Sequence, residues 1–231
     1  MPEKTKKMKT MTRNNQQQYR TAKTLGRITF LFFYFFILLF FSTSCSEDDG
    51  DTDEFENWQQ RNEAFFASLA DSMMLNPSQW VKYKNYSLDE QTLGTTTDYI
   101  YAKVITRGEG SESPMYTDSV RVSYQGRLIP SVSYPEGFVF DGTVYKNEPY
   151  DDRTNATVKL LISQTADGFA TALLHMHRGD YWRVFIPSDL AYGDNGNGNT
   201  IPGHSVIIFD LTLHDFASAG EPMAVWSARR R

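Results

Sequence analysis

Three places in this 231-residue sequence carry residue types that could do chemistry. The first is LAYGDNGNGNTIPGHS, Leu190 to Ser205, where four glycines and three asparagines lie between two apolar, strand-like runs. Glycine loops hold phosphate where they open a helix N-terminus, usually with a lysine following. This loop leads instead into SVIIFDLTL, which reads as a strand, and no Lys or Arg occurs between Asp189 and His214. Calcium needs oxygens at fixed intervals. Counting an EF-hand from Asp194 puts Gly196 and Gly198 at two ligand positions and Ser205 where the bidentate Glu belongs. A flexible turn remains, and it gives no reason for Tyr192 before it or Ile201-Pro202 after it. The second place is His175-Met176-His177. Two imidazoles at i and i+2 of a helix end point to different faces, and His204 and His214 are the only other histidines. Neither a metal nor a cofactor is therefore expected. The third is Cys45, the only cysteine, which has no partner for a disulfide.

The elements that must position these residues follow from periodicity. Phe55, Trp58, Phe65, Phe66, Leu69 and Met73 fall near helical spacing, with Asp53 and Glu56 as a possible cap pair and Asn76-Pro77 as the stop. A lone amphipathic helix must bury its stripe, either on the adjoining domain (the preferred reading) or on a second copy as a homodimer through residues 53–75. From about Thr97 the period becomes two. DYIYAKVIT, DSVRVSYQGRLI, YWRVFIP and SVIIFDLTL read as strands, and Val120, Val122 and Tyr124 share one face of the second. Phe169, Ala172, Leu173 and Met176 mark one short helix, closed by Arg178-Gly179. The pattern predicts an α+β domain, an antiparallel sheet with one helix packed across it, of a size that buries an adequate core.

The glycine loop fits a larger pattern. IPSDLAYGDNGNGNTIPGHSVIIFDLTL resembles the C-terminal signature of the FKBP-type peptidyl-prolyl cis-trans isomerases. VRVSYQGRL, GFVFDGT and HRGDYWRVFIPSDLAYG resemble upstream elements of that family, in its order, so that residues 98–216 are covered. The resemblance implies an FKBP-like antiparallel, half-open β-sheet wrapped around one short α-helix, here preceded by the N-terminal amphipathic helix. It also implies a proline pocket lined by Tyr124, Phe140, Asp141, Phe169, Tyr192, Ile201 and Phe209, with Thr165 and Ala166 at the start of the floor helix. The Ala166 N–H would donate to one ligand carbonyl and the Tyr192 hydroxyl to another. Asp141 would orient pocket groups or meet the twisted carbonyl. The chain departs from the family pattern in five ways. Phe169 replaces a tryptophan, Thr165-Ala166 replace a Val-Ile pair, Ala156 or Val158 stands where the preceding strand usually has an aromatic, Gly203 replaces the second proline of IPP, and the connection around Asn147 to Thr157 is long.

Such a pocket implies peptidyl-prolyl cis-trans isomerisation of proline-containing polypeptides, assisting the folding of envelope or secreted proteins. Rotation about X–Pro crosses a barrier of about 18–20 kcal/mol without breaking a bond, so no nucleophile is required. The alternative is a weakly catalytic or non-catalytic chaperone of the same fold, and a third reading is a carbohydrate-binding surface lipoprotein.

The N-terminus reads as an address. A basic stretch, Lys4 to Arg27, precedes fourteen uncharged residues, Ile28 to Phe41. That is short for a bilayer span of about 20 residues and suits a signal peptide. The STSC that follows resembles a lipobox, with Cys45 as the lipidated residue and membrane anchor. Beyond residue 44 stand 15 basic and 27 acidic residues, net −12, which excludes nucleic-acid binding. The expected organisation is a signal peptide over 1–44, an acidic tether and helix over 45–96, an isomerase domain over 97–217 and a tail over 218–231. The expected location is the outer membrane or periplasm of a Gram-negative bacterium, and the acidic tether resembles signals that carry such lipoproteins to the cell surface.

Overall fold

A computed structural model describes residues 54–144, 149–152 and 154–223. The signal peptide, Cys45, most of the tether, Asp53 of the cap pair and residues 224–231 of the tail lie outside the described residues. Among the described residues no helix is long and apolar enough to cross a membrane.

Helix α1 (Trp58–Leu75) begins after Asn57, whose left-handed φ of 51° makes the entry turn without a side-chain cap bond. It stops where Asn76 precedes Pro77, as expected. Its buried positions are Trp58, Asn62, Phe66 and Leu69, spaced four, four and three apart, so one side of the helix is covered. That side packs on the sheet: the Phe66 ring meets Tyr101 edge-on at 5.3 Å, and Phe65 lies 6.1 Å from Phe185. The stripe is used within the chain, in line with the preferred reading. Phe55 precedes the helix and is half exposed.

Strands β1 (Trp80–Lys84), β2 (Tyr99–Thr106), β3 (Ser119–Arg127), β4 (Val139–Gly142), β5 (Val158–Leu161), β6 (Tyr181–Ile186) and β7 (Ile207–Ala217) form one antiparallel sheet. Its order is β1-β2-β6-β7-β3, with β5 pairing the first half of β3 and β4 the second. β1 corrects the expected boundary at residue 97, since Trp80 to Lys84 pair in register with Lys103 to Tyr99. Helix α2 (Asp167–His175) crosses the concave face, where Ile100, Val120, Val122, Leu173, Ile186, Leu211 and Leu213 are closed to solvent. α2 ends at His175, capped by Met176, so Gly179 is not its terminator. With φ of 91° and its N–H on the Leu213 carbonyl (2.8 Å), Gly179 turns the chain into β6.

The outer face of β3 and β7 alternates to polar side chains, as the sequence pattern requires, yet it is covered. Ser123, Gln125, Asp210 and Thr212 are buried. Asp210 accepts from Arg183 Nε at 2.8 Å and from the Tyr181 hydroxyl at 3.2 Å, and it also pairs with Arg127. A buried carboxylate is tolerated when it is paired and hydrogen-bonded in this way. The Tyr150 hydroxyl closes over the face, 2.6 Å from Thr212 Oγ1, and burial pushes its pKa up to about 12.

Candidate functional site

At one end of the concave face, four rings meet at Phe209. Its alternation in β7 turns Asp210 outward and Phe209 inward. Phe169 of α2 lies 4.9 Å from it, Tyr124 of β3 5.9 Å and Phe140 of β4 6.0 Å, all three nearly perpendicular to its ring. Tyr124 also meets Phe169 edge-on at 5.9 Å. Edge-to-face pairs set the positive rim of one ring against the negative face of another, and each is worth about 0.5–1.5 kcal/mol beyond burial. The box therefore holds its shape without a ligand.

Gly126 makes the box possible. It pairs with Phe209 on one side of β3 and with Asp141 on the other. A Cβ there would stand 2.6 Å from the Phe209 ring and 2.7 Å from the Phe140 ring. The bare backbone is the space into which both aromatic side chains fit.

Asp141 is anchored rather than free. Its Oδ2 accepts from the Tyr124 hydroxyl at 2.7 Å and its Oδ1 from the Gly142 N–H at 2.8 Å. Burial first, and then this hydrogen bond, raise the Tyr124 pKa, so the phenol stays protonated and donating. Of the two roles expected for Asp141, the geometry supports the orienting one.

At the start of α2, the Thr165 hydroxyl donates to the Ile162 carbonyl at 2.8 Å and its N–H to the same oxygen at 3.0 Å. The polar replacement is thereby satisfied inside its own turn. Ala166 is the extended N-cap of α2, and its N–H enters no hydrogen bond among the described residues. An unpaired N–H at a helix N-terminus, where the backbone dipoles leave positive charge, is a ready donor for a carbonyl.

The flap, residues 192–205, is more ordered than its composition suggests. Gly193, Gly196 and Gly198 all have φ near +60°, which a side chain would resist. At Gly196 a Cβ would also come 2.0 Å from the Ile201 carbonyl. The Asn197 N–H donates to the Ile201 carbonyl at 2.8 Å, and the Ile201 N–H to that of Asn197 at 3.3 Å. The His204 N–H bonds the Gly193 carbonyl at 3.0 Å, and its ring nitrogen stands 3.1 Å from Asp194. Tyr192 is half-buried, and burial followed by the Asp141 charge raises its pKa. Ile201, at 3% exposed, belongs to the core at the base of the flap rather than to its open surface.

The structure thus gathers Tyr124, Phe140, Asp141, Phe169 and Phe209 into one cluster, with Tyr192 electrostatically close to Tyr124 and Asp141. Sequence reasoning gave no role to Gly126, Asn197 or the α1 residues Trp58 and Asn62. For the last two, the polar asparagine inside an apolar helical stripe was the available signal. His175, considered for a metal, instead stacks on Tyr83 at 3.8 Å and bonds the Thr171 carbonyl at 2.8 Å.

Residues 110–214 match the family model described as FKBP-type peptidyl-prolyl cis-trans isomerase. The chain is 35% identical over 133 residues to the FKBP-type 22 kDa peptidyl-prolyl cis-trans isomerase of Escherichia coli, covering 58% of this chain and 57% of that one. It is 38% identical over 117 residues to the macrophage infectivity potentiator of Trypanosoma cruzi, covering 51% and 53%. It is 37% identical over 111 residues to the outer membrane protein MIP of Legionella longbeachae, covering 48% and 41%. The chain spans about half the length of these curated relatives.

Proposed function

We propose, from the match of residues 110–214 to the FKBP-type peptidyl-prolyl cis-trans isomerase family model, that this protein isomerises X–Pro bonds in polypeptides. The reading is carried by the aromatic box around Phe209, with Tyr124 locked to Asp141 at its rim. At the twisted transition state, amide resonance is lost and the carbonyl is less polar than in the planar amide. A water-excluding box of Tyr124, Phe140, Phe169 and Phe209 therefore favours the twisted form, because the planar form loses more hydration on entering. The Ala166 N–H donates to a carbonyl of the flanking peptide, which fixes the chain while the bond turns. The Tyr192 hydroxyl holds the other side from the flap. Asp141 keeps the Tyr124 hydroxyl from turning into the apolar space. Ile201 supports Tyr192 from below.

The test is a prolyl-isomerase assay on residues 46–231 with a proline-containing peptide. Replacing Tyr192 by Phe and Phe140 by Ala together is expected to lower kcat/KM by at least about tenfold, since Tyr192 holds the flanking peptide and Phe140 walls the pocket around the turning bond. Undiminished turnover would overturn the site. Turnover at background with retained binding to unfolded protein would select the chaperone reading, which the missing indole N–H at Phe169 favours. Binding of sugar without binding of peptide would select the carbohydrate reading.

The location proposed is the bacterial envelope, with Cys45 as lipid anchor. The basic start, the short apolar run and the small residues before Cys45 support it, as does the likeness to an outer membrane protein. Metabolic labelling with a palmitate analogue, lost on Cys45→Ser, tests the anchor.

A further inference from the structure

We infer that Trp58 and Asn62 of α1 are positioning residues for the flap, so that the N-terminal helix sets how Tyr192 is presented to substrate. The inference rests on the isomerase reading for its functional consequence, and on geometry alone for the coupling.

Hydrogen bonds from the helix reach the flap beside the tyrosine. Trp58 Nε1 donates to Ser205 Oγ at 2.9 Å, and Ser205 donates to the Pro202 carbonyl at 2.6 Å. Pro202 follows Ile201, whose backbone pairs with Asn197, and Ser205 follows His204, whose N–H bonds the carbonyl of Gly193, the residue next to Tyr192. A second tie runs beside the first. Asn62 Oδ1 accepts from the Val206 N–H at 2.8 Å, while its Nδ2 donates to the Trp58 carbonyl at 2.7 Å. Asn62 is 1% exposed. A polar side chain this deep must satisfy both its ends, and these two bonds do so.

The same two turns of α1 reach the loop ahead of Phe140. Arg61, with its guanidinium 5.3 Å over the Trp58 ring, donates to the carbonyls of Glu54 (2.9 Å) and Pro130 (3.4 Å). The Glu54 carboxylate accepts from the Ser133 N–H at 3.4 Å. One helix end thus ties the segments leading to both Phe140 and Tyr192. A loop with three left-handed glycines is costly to order, and an external tether holds it in one place before substrate arrives, which reduces the ordering that binding must supply.

The test uses full-length protein carrying Trp58→Phe, which keeps an aromatic ring but loses the N–H with the rest of the indole, and separately Ser205→Ala, which leaves the indole in place and removes only its acceptor; both are expected to act alike. Hydrogen exchange at the amides of Asn197, Ile201 and His204 is expected to quicken by about tenfold, with the amides of Leu211 and Leu213 in β7 unchanged. KM for a proline-containing peptide is expected to rise by about fivefold with kcat little altered. In a Tyr192→Phe background the same change is expected to add nothing, since coupled sites are not additive. Equal acceleration in flap and β7, unaltered flap exchange, or an additive effect on KM would each overturn the inference. Absence of turnover in the parent chain would refute the isomerase reading, and the exchange data would still decide the coupling.

Discussion

The floor and the flap of the candidate site are built from opposite materials. The floor is four rings packed edge-to-face on strands and a helix, and its geometry is fixed by volume and by the missing side chain at Gly126. The flap has little volume to pack. It is fixed by glycines in left-handed conformations, a paired Asn197–Ile201 and hydrogen bonds to α1. Apolar packing resists displacement from every direction, whereas a few directional bonds resist it only along their own axes. The floor is therefore a shape and the flap a setting, and mutations separate the two.

The largest effect is expected in the floor. Phe209→Ala should cost about 3–5 kcal/mol of stability, the usual range for a buried Phe, measured by urea unfolding. A cost below about 1 kcal/mol would mean that the box is not part of the core. Next comes Gly196→Ala, which puts a methyl against the Ile201 carbonyl at a positive φ. It should destabilise by more than about 1 kcal/mol and lower kcat/KM while leaving the near-ultraviolet aromatic spectrum of the floor in place. A spectrum altered as in Phe209→Ala would erase the distinction between the regions.

Asp141→Asn probes their junction. Burial is the first cause of the raised Tyr124 pKa and the Asp141 hydrogen bond and charge the next, so the substitution should move the phenol titration part of the way back toward its ordinary value. Ultraviolet titration reads this directly, and an unmoved titration would show that burial alone sets it. The smallest effect lies on the outer face, remote from both regions. Burial lowers the pKa of His214, which sits 2.8 Å from Ser123 Oγ. Below the unfolded value of about 6.5 the unfolded chain then binds a proton that the folded chain resists, so stability falls as pH drops through that window. His214→Gln should flatten the fall in urea midpoint between pH 7.5 and 5.5. An identical fall in the variant would assign it to other groups.

The floor was largely legible in the sequence and the flap was not. Alternation in VRVSYQGRL and SVIIFDLTL, and the spacing of Phe169 in its helix, place Tyr124, Phe169 and Phe209 on inner faces because strand and helix periods are fixed by the backbone. The flap's glycines announce a turn, yet nothing local says that Asn197 pairs with Ile201 or that Trp58 reaches Ser205, 147 residues away. Hydrogen bonds across such separations leave no periodic trace. β1, β4 and β5 are five, four and four residues long, too short for a convincing alternation. Nothing near Asp210 in the sequence signals its burial, which depends on arginines and on Tyr150 brought from elsewhere in the chain.

The split pairing along β3 has a consequence for what can attach to this protein. An exposed strand edge invites another chain to add to the sheet through backbone bonds, and unfolded polypeptides are the chains most disposed to do so. Here the β3 side of the sheet ends in two separate four-residue strands. At the other end, β1 carries Lys82 and Lys84, and the Lys84 ammonium is spent on the carbonyls of Asp89 and Thr92, 2.6 Å away. The sheet thus offers a passing chain no long, uncharged edge to zip onto. A polypeptide taken up as proposed would therefore be held at the aromatic site and not along the edge of the sheet, so that binding one chain gives the next no backbone template on which to grow.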